Sequence, residues 1–160
     1  MAIKYLNDSL EINPSGYEAW DFLGLLYRDL GRFDDAIVAH ERAFSINQRP
    51  ETEFYLSILY ALKGDRIRAK LMAIAAYEDT GKQEHDQRIR PVWKILIHAA
   101  IPIIDDHKEV AIELLRSLSE YVTTKRIYDG IKAHLQFLLE GTDHKEWVPE
   151  FMEIVKLREI

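Results

Sequence analysis

The stretch YEAWDFLGLLYRDLGRFDDAIVAHERAFSIN, Tyr17 to Asn47, decides how this chain is read. Trp20, Leu23, Gly24 and Tyr27 follow one another at intervals of three, one and three, the spacing of one helix face. Beyond Gly31, Ala36, Ile37, His40, Ala43 and Phe44 repeat that rhythm. A glycine accepts the left-handed backbone that ends a helix, so Gly31 between two amphipathic segments predicts a helix hairpin. Ser15 and Glu18 have the spacing of a capping box at the start of its first helix, worth about 1 kcal/mol where it forms.

The hairpin has a copy. Gly31, Ala36 and Ala43 recur as Gly64, Ala69 and Ala76 under a shift of 33 residues, and Leu23 and Tyr27 recur as Leu56 and Tyr60. Stepping back by 34 maps Ala36 to Ala2 and His40 to Leu6, in a segment that runs on to Asn13-Pro14. A fixed period in this range marks a helical solenoid, whose units bury their apolar faces by stacking on one another.

Trp20, Leu23, Gly24, Tyr27, Ala36 and Ala43 together carry the pattern W-x2-L-G-x2-Y…A…A, and with it the chain resembles the tetratricopeptide repeat family. The second unit keeps the alanines but has Glu53 in the tryptophan position and Ser57 in the glycine position. His40 and Ala73 stand where the family often has an aromatic, and the closing proline, present as Pro14, is replaced by Gln48 and Gly81. The resemblance implies an all-α fold, a right-handed superhelical stack of antiparallel helix hairpins, ending in a divergent C-terminal helical region. Its expected parts are a half-repeat at 1–14, repeats at 17–49 and 50–83, a degenerate repeat at 84–124, and C-terminal helices at 125–160.

In the degenerate part, helices are expected near Asp86 to Ile104, His107 to Thr123, Lys125 to Glu140 and His144 to Arg158, with Asp106 where a turn glycine would stand. Trp20 and Tyr27 are expected in the core, where truncating a large aromatic costs roughly 3 to 5 kcal/mol. The half-repeat has no first helix to cover Ile3, Leu6 and Leu10. Either a longer array or another subunit would shield them, which makes a homo-oligomer through the incomplete N-terminal repeat plausible.

Composition narrows the function. A net charge of -6 without a basic tail gives no general attraction to polyanions, so neither nucleic acid nor an anionic membrane is an expected partner. Cysteine is absent, which excludes disulfides, thiolate metal sites and thiol nucleophiles. The opening residues lack a signal-peptide pattern, and Pro91 to Ile104, the most apolar run, falls short of the roughly 20 residues a membrane span needs. A cytoplasmic protein is the expectation.

Asp105, Asp106, His107 and Glu109 form the tightest polar cluster and raise the possibility of a metal-dependent regulator or enzyme. Asp106 with Glu109, and Asp143 with Glu146, also have capping-box spacing, and that reading is preferred. The other histidines are scattered, the glycines stand singly, and no nucleophile elbow occurs. No catalytic residues, metal or cofactor are therefore expected.

Surface remains, and the register says which. Glu18, Asp21, Leu25 and Arg28 lie opposite the Trp20–Leu23–Tyr27 face, since two residues rotate a helix by about 200 degrees. The family resemblance implies that this side of each first helix lines a concave groove in which partner segments dock. The same shift brings Glu51, Phe54, Ile58 and Ala61 to equivalent positions, with Tyr55 at the edge. Phe54 and Ile58 are then either an apolar docking wall or core beneath a helix that curls over the groove. Glu18 and Asp21 stand where the family's clamp for acidic chaperone tails would need cations, and Lys82, Arg88, Arg90 and Lys94 read as a solvated face. The expected function is a scaffold or adaptor that binds a peptide or helix of another protein, one with apolar anchors and some positive charge. The alternative is a self-assembling structural subunit.

Overall fold

A computed structural model describes residues 1–82 and 90–155. The expected helix start at Asp86, the basic Arg88, and the end of the last helix at Arg158 lie outside the described residues. Everything regular in the described residues is helical: α1 (Ala2–Ile12), α2 (Tyr17–Asp29), α3 (Phe33–Ile46), α4 (Pro50–Leu62), α5 (Arg66–Thr80), α6 (Pro91–Ile104), α7 (Lys108–Arg116), α8 (Lys125–Gly141) and α9 (Val148–Ile154). Two short 3-10 turns, Ser117–Glu120 and Lys145–Trp147, follow α7 and precede α9. The fold is a helical solenoid of antiparallel hairpins, α2–α3 and α4–α5 packed most closely and α6–α7 next in line.

One turn design is used four times. Gly31 and Gly64 have φ of 74 and 78°, and Asp106 and Asp143 take their place later with φ of 63°. At each turn the next amide reaches back over the helix end: Arg32 donates to the Tyr27 carbonyl, Asp65 to Tyr60, His107 to Pro102 and His144 to Leu139, at 2.7 to 2.9 Å. These bonds satisfy carbonyls that a helix end would otherwise leave open. Asp106 thus stands in for the turn glycine, as its alignment implies. Its side chain is not the cap expected of it, because His107 is the N-cap of α7 and no side-chain bond closes there. The Ser15–Glu18 and Asp143–Glu146 boxes do not form either. The side chains that do cap are Asp65, accepting from the Arg68 amide at 3.0 Å, and Thr124, accepting from the Ile127 amide at 3.3 Å.

Stacking relies on small residues. Ala36, Ala43, Ala69, Ala73 and Ala76 have no exposed surface. The signature glycine serves one contact in particular. A Cβ on Gly24 would sit 2.4 Å from His40 Nε2, so the bare backbone of α2 makes room for the imidazole of α3. In the second repeat the exchange runs the other way. Ser57 takes the glycine position and Ala73 the imidazole position, and the Ser57 hydroxyl donates to the Ala69 carbonyl at 2.8 Å. The side chain that grows on α4 faces one that shrinks on α5, so the two helices still meet in direct contact.

Trp20 and Tyr27 are less deeply placed than expected. Both are partly buried, packed with Ile3, Leu6 and Ala19 around Leu10, Leu23 and Ala39, and the Trp20 Nε1–H donates to the Pro14 carbonyl at 3.0 Å. Leu10 is therefore covered within the chain, and Ile3 and Leu6 are covered in part, by α2.

The main departure from a simple stack is α8. It makes its principal contact with α4 and a smaller one with α6, two helices back, so the fourth hairpin folds over the Phe54–Ile58 face of α4. Its Ile131, Leu135, Leu138 and Leu139 join Phe54, Ile58, Leu96 and Ile97 in one core. Near the crossing, a Cβ on Gly141 would stand 2.5 Å from the Leu62 nitrogen, so the two backbones nearly touch.

Gly24→Ala is expected to destabilise the fold by about 1 to 3 kcal/mol in urea unfolding, through overpacking against His40. The same change made on a His40→Ala background should cost clearly less, and equal costs in the two backgrounds would contradict the pairing.

Candidate functional site

Covering of the Phe54–Ile58 face of α4 by α8 decides which of the expected groove residues can meet a partner. Phe54 and Ile58 have no exposed surface, and Tyr55 is 8% exposed. The apolar wall is thus core beneath a helix of the same chain, a correction to its expected role as an open docking wall. The physical reason is that α8 has its own apolar stripe to bury and finds it here. Arg28 is also buried: its Nη1 donates to His134 Nδ1 on α8 at 2.8 Å, its Nη2 to Asp29 at 2.9 Å, and its guanidinium lies 4.5 Å over the Phe137 ring. Leu25 is partly buried against the same core, while Glu18 is exposed.

Arginine can only donate, so His134 accepts through Nδ1 and carries its single proton on Nε2. Burial, and then the Arg28 charge, push its pKa down to about 3. Its ring stacks on Tyr55 with centroids 5.3 Å apart, and Trp93 of α6 meets Tyr55 edge-on at 5.6 Å. An aromatic floor therefore runs from α4 across α6 to α8.

Among the described residues, two open clefts meet at Trp93. The first, of about 360 Å³, crosses the N-terminal halves of three helices: Tyr17, Asp21 and Phe22 of α2, Glu51 and Tyr55 of α4 with the preceding Arg49, and Trp93 of α6 with the preceding Arg90. Its walls are fixed by hydrogen bonds. Asp21 accepts from the Thr52 hydroxyl at 3.1 Å and lies 2.9 Å from His40 Nδ1. Arg49 binds the Tyr17 hydroxyl and the Glu51 carboxylate, each at 2.9 Å. Phe22 stays 57% exposed at the mouth. The second cleft, of about 420 Å³, opens between α6 and α8 and shares Arg90 and Trp93 with the first.

Of the expected groove residues, Asp21 and Tyr55 come together here, beside Glu51. Tyr17, Phe22, Arg49 and Trp93 were not anticipated. Phe22 alone left a trace, an aromatic off the core stripe of α2; the others depend on how separate helices converge. Arg90, expected on a solvated face, stands where the clefts meet.

The Asp105–Asp106–His107 cluster is engaged elsewhere. Asp105 pairs with Lys70 at 2.7 Å, and Asp106 with Arg66 at 2.9 Å and His144 at 2.5 Å. Arg66 and His144 hold the Asp106 carboxyl below its usual range. Among the described residues no three histidine or carboxylate side chains gather as a metal site would require. None of the described helices is long and apolar enough to cross a membrane.

Comparison with known families finds a match to the tetratricopeptide repeat over residues 17–50, the α2–α3 hairpin together with the first residue of α4. No curated protein matches the chain.

His134 is protonated in the unfolded chain below about pH 6.5 and in the folded chain only near pH 3. The stability it contributes is therefore complete above pH 6.5 and is lost as pH falls through that window, at up to about 1.4 kcal/mol per pH unit. His134→Asn, which keeps an acceptor for Arg28, should show a shallower loss than the parent in chemical unfolding between pH 6 and 4. Parallel curves would mean that His134 does not titrate in this way.

Proposed function

We propose that this tetratricopeptide-repeat protein is a scaffold or adaptor that docks a segment of another protein in the cleft across the N-terminal halves of α2, α4 and α6. Such repeats generally mediate protein–protein interactions. The observation that carries the specific reading is the open, mixed-polarity cleft on the concave side, with an exposed Phe22 at its mouth and Tyr55 and Trp93 at its floor. Aromatic surface beside fixed polar groups is what a peptide anchor uses, and here Phe22 stands next to Tyr55 and Trp93 in one cleft. The Arg49–Glu51 pair and Asp21 offer donor and acceptor groups to a bound main chain without rearranging. The buried wall of Phe54 and Ile58 plays no direct part; it sets the position of Tyr55. The Thr52 hydroxyl held by Asp21, and the His40 ring beside it, have no exposed surface, so the reading is binding without turnover.

A second reading, self-assembly through α1, draws on a different observation. Tyr5 and Ile12 are 66% and 87% exposed, seven residues apart and so on one stripe of α1 facing away from α2. A molar mass in light scattering that rises with concentration, and stops rising after Tyr5→Glu with Ile12→Glu, would favour it.

For the docking reading, peptides selected from a displayed random library against the full chain are expected to shift the amide resonances of Phe22 and the indole resonance of Trp93. Phe22→Ala, at an exposed position, should weaken them by about tenfold while the unfolding midpoint stays within about 0.5 kcal/mol of the parent. Selected peptides that bind Phe22→Ala as tightly as the parent and leave Trp93 unshifted would refute the cleft as the site.

A further inference from the structure

Beyond Trp93 the docking cleft continues into the space between α6 and α8, and that space is built differently. Its walls are apolar: Val92, Trp93 and Leu96 from α6, Ile127 and Ile131 from α8. Its mouth carries Arg90 and Arg126, both exposed, and neither has a carboxylate partner among the described residues. Arg28, Arg49 and Arg66 on neighbouring elements all have one. At the inner end lies His134, 7% exposed. Because its Nδ1 accepts from Arg28, the proton is on Nε2, and that N–H has no acceptor among the described residues. That ring lines the cleft, so the N–H is open to a ligand oxygen entering it.

The fourth wall is Gly130. It lies inside α8, where a glycine costs about 1 kcal/mol relative to alanine. A Cβ there would meet nothing within 4 Å, and its φ does not lie in the left-handed region, so neither close packing nor backbone shape calls for it. What the missing side chain does is keep the cleft open along α8.

From these features we infer that the α6–α8 cleft is the anchor pocket for an acidic peptide segment. One large apolar side chain enters between Trp93 and Gly130, flanking carboxylates meet Arg90 and Arg126, and a backbone or side-chain oxygen accepts from His134. This rests on the docking reading above and gives it a ligand chemistry, one that reverses the positively charged partner expected from the sequence. The protein's net charge of -6 does not oppose it, since at physiological salt charges beyond about 8 Å are largely screened and the two guanidiniums are local. Guanidinium forks suit carboxylates, and the pocket volume of about 420 Å³ accommodates an aromatic ring.

The test uses the full, isotope-labelled chain and a short capped peptide with one phenylalanine between pairs of glutamates. The peptide is expected to shift the Gly130 amide and the Trp93 indole. Arg90→Glu and Arg126→Glu should each weaken it about tenfold or more, the size of a lost charge-assisted hydrogen bond. Gly130→Phe should abolish binding with the helical circular dichroism unchanged, whereas Gly130→Ala should bind and melt higher. A lysine-flanked peptide and an oligouridylate of equal charge should not bind. Equal binding of either control, or undiminished binding by Gly130→Phe, would overturn the inference. If library-selected peptides shift Phe22 while the glutamate peptide leaves Gly130 untouched, the anchor pocket falls and the docking reading stands; if neither probe shifts its residue, both fall.

Discussion

Helix α4 has no solvent face from Pro50 to Leu59, and most of the architecture follows from that enclosure. Four helices pack on it: α3 and α5 from its own stack, α6 beside it, and α8 over its Phe54–Ile58 face, with Arg28 of α2 tied to α8 close by. Such burial tolerates few charges, and the two carboxylates that α4 takes inside are handled differently. Glu51 is paired with Arg49. Glu53 has one oxygen without a partner, and burial, then the neighbouring Asp79, push its pKa up to about 8, so it is kept largely protonated at neutral pH.

The repeat hairpin was legible because its physics is local. A glycine between two amphipathic runs, and alanines at a fixed shift, express constraints that act within some thirty residues, and the turns at Gly31 and Gly64 follow directly. Asp106 was legible for the same reason: an aspartate tolerates the left-handed conformation better than most residues. The capping boxes were over-read, because the spacing of a serine or aspartate and a glutamate is easily met by chance. A cap also depends on where the turn places the chain, and at Asp106 and Asp143 the turn took the residue first.

The site was legible only in part. The register puts Phe54 and Ile58 on the groove side of α4, but whether that side meets solvent is settled by α8, more than sixty residues further along. A hint was available in α4 itself, whose run EFYLSILYAL is apolar on nearly every side, as in a helix enclosed all round. Beyond Asp21, Tyr55 and Phe22 the open clefts had no sequence signal, since Tyr17, Arg49 and Trp93 converge through tertiary packing alone. The pairing of Gly24 with His40 and of Ser57 with Ala73 is a milder case, visible in the alignment as two departures from pattern and intelligible as one contact made in two ways once the helices are placed.

An ordinary solenoid is close to one-dimensional: each unit touches its neighbours, and the array frays from its ends unit by unit. Contact between α8 and α4 breaks that rule by joining distant parts of the chain near Gly141 and Ala61. The local hairpins close much shorter loops than this contact does, and loop-closure entropy favours them forming first. Once made, the contact couples the repeats to the C-terminal helices as a single cooperative unit. This molecule has therefore exchanged the modularity of a repeat array, which can be lengthened or trimmed, for the all-or-none behaviour of a globule.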